Sequence, residues 1–176
     1  MSDLPKKIMI CEEGPREGFQ IEKVLVATNK KIELIDSLSE TGLKHIQIIS
    51  FVNPKRVPGW ADADEVTKGF KKYADIDYSP LWLNPKGFER ALQYKKKLTL
   101  NGKVAIGASE KFLIRNQNTD LEQNLQRQRD SARMYNDNGV PIKSVGVNSA
   151  FGCNYQGEIP ISRILEAVAQ GFAIAE

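Results

Sequence analysis

Five short apolar or β-rich runs recur along this chain, at residues 7–11, 45–51, 77–83, 103–107 and 143–149. Each is followed by turn residues and then by a pattern with helical period. A βα unit repeated five times calls for a parallel sheet, because a parallel pair needs a long crossover and a helix is its usual form. Right-handed crossovers leave two architectures open, a barrel and a doubly wound sheet, and the pattern alone does not choose between them.

The helical stretches carry their own punctuation. Ile32, Ile35 and Leu38, with Leu34 beside them, recur at three-to-four spacing and face a sheet, and Gly42 is expected to close that helix in a left-handed conformation. Asn84 followed by Pro85 suits the cap and first-turn positions of a later helix. Thr119 with Glu122 reads as a capping box, and Asn138-Gly139, with Pro141 just beyond, stops the helix that follows. The last helix opens at Pro160 and sets Ile161, Ile164, Leu165, Val168 and Phe172 on one side.

Composition excludes several classes. Apolar residues make up 41% and charged residues 27%, ordinary globular usage, so one domain over residues 1–176 is expected. No stretch approaches the roughly 18 uninterrupted apolar residues of a membrane span. The formal charge of +3, from 25 basic and 22 acidic residues, is too mild and too evenly spread to indicate nucleic acid. The run Lys95-Lys96-Lys97 reads as a solvated helix end. Cys11 and Cys153 form no framework of spaced pairs, and MSDLPKKI has neither a secretory apolar core nor transit-peptide character. A cytoplasmic location is therefore expected.

Chemistry should collect at the carboxyl ends of parallel strands, where such folds place their active loops. The segment EEGPREGFQ, residues 12–20, follows the first strand. It combines Arg16, a planar fork of donors for an oxygen on which charge develops, with Glu17, a hard oxygen donor for a divalent cation. Taken without any further motif, the same pair reads as an exposed ion pair. Asn53-Pro54-Lys55-Arg56 follows the second strand and offers two cations for phosphates, or a solvated turn. His45, the only histidine, opens the second strand, at the end away from the expected site.

The order and spacing of EEGPREGFQ with ISFVNPKRVPGWAD (49–62), LNPKGFERA (83–91), ASEKFLIRNQN (108–118) and AFGCNYQGEIP (150–160) resemble the hydroxymethylglutaryl-CoA lyases. The resemblance covers residues 8–176 and implies an α/β fold, a partial (β/α)8 TIM barrel of about five βα units. Complete barrels take roughly 250 residues. By the same resemblance the reaction is metal-assisted cleavage of a 3-hydroxyacyl-CoA to acetyl-CoA and a keto acid. The resemblance makes Arg16 the stabiliser of the enolate and puts Gln47 at a position where the family has a catalytic glutamate. It puts Glu17, in place of an aspartate, on Mg2+ or Mn2+, and assigns Gln20, Ser50, Asn84 and Asn116 to the substrate. Lys55 and Arg56 fall to the phosphates of coenzyme A, while Asn84 also has its cap role.

The family's His-x-His pair and glycine-rich cysteine loop have no counterpart here, and Gly146 stands where the family has a tyrosine. Cys153 matches a family cysteine but reads as a buried, inert thiol. Five strands of eight would leave unpaired edges, so a homo-oligomer is expected. Two other functions stay open: a non-catalytic half-barrel that assembles or binds a ligand, and an acyl-CoA condensing enzyme on the same fold.

Overall fold

The run HIQIIS becomes the centre of a three-stranded parallel sheet because Ile46, Ile48 and Ile49 all find cover and are fully buried. The computed structural model describes residues 4–176, in two compact units, the first ending at Leu100 and the second running Asn101–Glu176. Among the described residues no helix is long and apolar enough to cross a membrane.

In chain order the first unit comprises β1 (Cys11–Glu12), α1 (Gly14–Ile21), α2 (Thr28–Ser39) and β2 (His45–Ser50). A 3-10 turn (Pro58–Trp60), α3 (Ala63–Gly69), β3 (Asp77–Leu81) and α4 (Pro85–Leu92) complete it. The strand order is β1-β2-β3, all parallel, with Cys11 opposite His45 and His45 opposite Asp77. The ladder between β2 and β3 shifts between Gln47 and Ile49, where the partner is Pro80, a residue with no N–H to give. Ile35, Phe51, Trp60, Val66, Phe70, Tyr78 and Phe88 fill the core around the isoleucines. Burying each such side chain is worth about 1.5–3 kcal/mol. Tyr78 brings a hydroxyl into this core and it is satisfied: Tyr78 Oη donates to Ser39 Oγ at 2.8 Å, and Ser39 donates to the Ile35 carbonyl at 2.7 Å.

The second unit holds β4 (Gly102–Gly107), α5 (Glu110–Phe112) continuing as a π-helix (Leu113–Gln117), α6 (Leu121–Asp137), β5 (Ile142–Asn148) and α7 (Ile161–Ala175). β4 and β5 pair in parallel. Val104, Ile106 and Ala167 form its centre, with Leu125, Val145, Val147 and Ile174 packed against them. The free N–H groups of β4 are taken up by α6, where Asn124 Oδ1 accepts from Gly107 at 3.0 Å and Gln128 Oε1 accepts from Ala105 at 2.9 Å.

Strand positions agree with the periodicity, but four local expectations need correction. The first strand has only two residues, and Ile8, Met9 and Ile10 are exposed, because the register places residues before Cys11 beyond the start of β2. α2 ends at Ser39, so Gly42, at φ +91, turns the chain beyond the helix rather than capping it. Asp120, not Thr119, caps α6, since its extended backbone lets its carboxylate reach Gln123 N at 2.8 Å. On α7, Ile161, Leu165 and Phe172 are exposed while Ala167 and Gly171 are buried. Small residues let this helix approach the sheet closely, and a Cβ at Gly171 would lie 2.5 Å from Val145 Cγ1. The cap at Asn84 is as expected: its Oδ1 accepts from Gly87 N at 2.9 Å.

Candidate active site

The segment after β1 is helical rather than a loop. Pro15 occupies the first turn of α1, where its missing N–H costs nothing and its fixed φ favours the helix. The helix brings Glu13, Arg16 and Glu17 to the same side, and β2 supplies Gln47. Arg16 Nε donates to Gln47 Oε1 at 2.5 Å, Nη2 to Glu13 Oε2 at 2.7 Å, and Nη1 pairs with the Glu17 carboxylate. The Arg16 side chain is only 13% exposed, whereas both carboxylates are 51% exposed. Three of the guanidinium's five N–H donors are thus engaged, and two of its three partners face water.

Ser50 lies three residues beyond Gln47 at the end of the same strand, and its hydroxyl is buried with no hydrogen-bond partner among the described residues. It does not satisfy the strand end as a structural serine would. Buried polar groups are nearly always paired, so this hydroxyl is an exception at the strand's carboxyl end. Gln20 stands half-buried on α1. Lys55 and Arg56 lie exposed on the turn after β2, with Lys55 N bonded to Asn53 Oδ1 at 3.0 Å. Asn84 spends its carbonyl oxygen on the α4 cap. Asn116 is exposed on the π-helix of the second unit, a helix type that is rare and frequent at functional sites.

Other residues singled out by sequence fall into scaffold positions. His45 Nδ1 is 3.2 Å from Asp77 Oδ2 at the amino end of the strands. Gly146 sits within β5 beside the Lys103 side chain. Cys153 is not the buried inert thiol expected: it is half-buried on a turn, with Ser109 Oγ at 3.0 Å. Hydrogen bonding from Ser109 draws its pKa below the ordinary thiol value, while burial and the Glu13 and Glu12 carboxylates push the Cys11 thiol up. Sequence reasoning missed Glu13 and Trp60. The first had a signal in its three-residue spacing from Arg16, once Pro15 marks a helix start. The second had none, since its indole Nε1 reaches the Arg16 carbonyl across 44 residues, at 3.0 Å.

The donor set tests whether this chain holds a divalent cation by itself. Glu17 is paired with Arg16, and among the described residues no three His, Cys, Asp or Glu side chains gather as ligands. These residues do not fit a resident metal centre, because Mg2+ and Mn2+ need several oxygens in near-octahedral array.

Residues 7–174 match the family model described as HMGL-like. The chain belongs to the HMGL-like family. It is 39% identical over 176 residues to the mitochondrial hydroxymethylglutaryl-CoA lyase of Pongo abelii, covering 99% of this chain and 52% of that protein. The crystal structure of a Pseudomonas aeruginosa hydroxymethylglutaryl-CoA lyase superposes with a TM-score of 0.87 at 32% identity, over 99% of this chain and 57% of the other. An HMG-CoA lyase from Acinetobacter baumannii, solved in complex with coenzyme A and 3-methylmalate, gives 0.78 at 29% identity over 94% and 53%. This HMGL-like chain spans about half the length of the curated relatives it matches. Its parallel α/β arrangement is accordingly part of a TIM barrel of that family.

Proposed function

We propose that this chain supplies the Arg16 face of a hydroxymethylglutaryl-CoA lyase-like carbon–carbon lyase, which cleaves a 3-hydroxyacyl-CoA to acetyl-CoA and a keto acid. In that reaction the 3-hydroxyl loses its proton, the C2–C3 bond breaks, and its electron pair passes to the thioester as an enolate. The enolate carbon then takes a proton to give acetyl-CoA. The observation that carries the reading is the half-built coordination of Arg16, a largely sheltered guanidinium fixed by Gln47 and left, among the described residues, with two N–H donors over. Donors preorganised in a partly dry site are worth most where negative charge develops. Gln47, an amide, takes no proton, so its part is to hold Arg16. The orphan Ser50 hydroxyl supports a substrate oxygen nearby. Lys55 and Arg56 are the proposed partners of the coenzyme A phosphates, and coenzyme A itself is bound in the Acinetobacter relative.

Among the described residues no cluster of ligands assembles for a metal, and Glu17 is tied to Arg16. That same observation, with the amide at Gln47, favours a second reading: an acyl-CoA-binding protein without turnover. Formation of acetyl-CoA and acetoacetate from 3-hydroxy-3-methylglutaryl-CoA, measured with and without Mg2+ or Mn2+, separates the two. Turnover lost in Arg16→Gln supports the lyase. Calorimetric binding of the thioester with no acetoacetate formed supports the second reading, and neither binding nor acetoacetate sinks both.

A further inference from the structure

Arg16 rides on a helix that cannot hold its own position. α1 has eight residues, two of them glycine, and its Glu13 cap makes no side-chain capping bond. Isolated helices this short are marginal in water, and glycine weakens them further. Something outside α1 must fix where Arg16 sits, and Gln47 fixes only the guanidinium.

The second anchor is Trp60. It is fully buried, and its indole Nε1 donates to the Arg16 backbone carbonyl at 3.0 Å. Its ring meets Phe19, on the same helix, edge-on at 5.9 Å. The turn that carries Trp60 lies against α1 so closely that a Cβ at Gly59 would stand 2.6 Å from the Phe19 carbonyl oxygen. Lys31 locks that turn. Its ammonium is buried, 5.0 Å from the Trp60 ring centroid and 5.9 Å from that of Phe19. It donates to the Gly59 carbonyl at 2.5 Å and to Asp62 Oδ1 at 2.6 Å, and Thr28 Oγ1 donates to Asp62 Oδ2 at 2.7 Å. A buried ammonium is costly to desolvate and repays little stability even when paired, whereas it does fix one arrangement of its neighbours.

We infer that Trp60, braced by Lys31 and Asp62, is a positioning residue for Arg16. It fixes the backbone of α1 while Gln47 fixes the side chain, so the guanidinium is held at two points. The inference rests on the proposed role of Arg16, but its test does not.

Trp60→Phe keeps a buried ring and removes the N–H. A second variant, with Trp60 replaced by its benzothienyl isostere, changes only N–H to sulfur and guards against a folding defect. In 15N-labelled protein, the exchange rate of the Arg16 Nε–H, assigned by its loss in Arg16→Gln, should rise about tenfold in either variant, the expected consequence of weakening one coupled hydrogen bond. Backbone amides of α4 should not change. Reincorporating 5-fluorotryptophan, which retains the N–H, should restore slow exchange. If the protein turns over thioester, kcat should fall about tenfold with KM little changed, and the fall should vanish in an Arg16→Gln background. Unchanged Arg16 exchange in both variants overturns the inference, even in an active protein. No turnover, with the exchange response intact, removes the lyase reading and leaves the coupling of Trp60 to Arg16 standing.

Discussion

Two arginines in the first unit are each tied to carboxylates, and they are built for opposite purposes. Arg90 Nη2 meets Asp64 Oδ2 at 2.5 Å, its guanidinium lies 5.0 Å over the Phe51 ring, and Tyr94 donates to Asp64 Oδ1 at 2.9 Å. Phe51 and Tyr94 stack in turn at 5.9 Å. Arg90 and Asp64 are about equally sheltered, at 30% and 29% exposure, so the cluster closes on itself and joins α3 to α4. Arg16 is the more buried of the two arginines, yet its carboxylates stand out in water. An incoming anion can displace Glu13 or Glu17 without stranding a charge, because both remain hydrated, and Gln47 keeps hold of the guanidinium. The placement of the partners, more than the count of ion pairs, separates a site from a staple.

The sharpest test of that contrast removes each arginine. If the proposed lyase reading holds, Arg16→Gln should lower kcat for carbon–carbon cleavage of the acyl-CoA about a hundredfold to a thousandfold, the range for loss of a preorganised oxyanion donor, with a melting midpoint within a few degrees of the parent. Calorimetry and an assay of keto acid formation read both. Arg90→Ala should do the reverse, leaving thioester binding intact and destabilising the fold by about 1–2 kcal/mol, less than for a fully buried pair because water reaches both side chains. Denaturant unfolding measures it. Equal losses of stability in the two variants would erase the distinction.

The acid limb of stability sharpens it further. Burial alone would raise the Asp64 carboxyl, but hydrogen bonds from Arg90 and Tyr94 outweigh it and hold the group below the usual carboxylate range. A carboxyl with a depressed folded pKa contributes stability that is present above its unfolded pKa near 4 and lost as pH falls through the folded one. Unfolding midpoints should therefore decline below about pH 4. The decline should be shallower in Arg90→Ala, where the Arg90 contribution to the depression is gone. An identical acid limb in parent and variant would mean that Asp64 is not held by this pair.

The strands were legible because apolar runs spaced by helical patterns leave few architectures, and Asn84 was legible because its cap is local. α1 was not, since Gly14 and Gly18 argue against a helix and only Pro15 argues for one. The α7 face was misread because Ala167 and Gly171 pack closest while carrying little hydrophobicity of their own. Arg16 could be picked out by its neighbours in sequence, but its anchors could not. Gln47 and Trp60 are 31 and 44 residues away and reach it only through the β1–β2 register and the fold of the 58–62 turn.

The smallest expected effect lies at the alkaline end. Burial, and then the hydrogen bond to Asp64, raise the Tyr94 phenol from 10.0 to about 12. Ionising it would place a phenolate beside the Asp64 carboxylate and take away the proton that joins them. A group whose folded pKa lies above its unfolded value contributes stability that is fully present below the unfolded pKa and lost as pH rises through the folded one. The window is thus pH 10 to about 12. Because the phenol is partly open to water, the loss should amount to only a few degrees in melting midpoint. Tyr94→Phe should flatten that limb while preserving the stack on Phe51, and Tyr73→Phe, at a half-buried tyrosine outside this cluster, serves as the control. Arg16 has no such phenol among its partners, so alkaline loss that persisted in Tyr94→Phe would show the staple to be weaker than its geometry indicates.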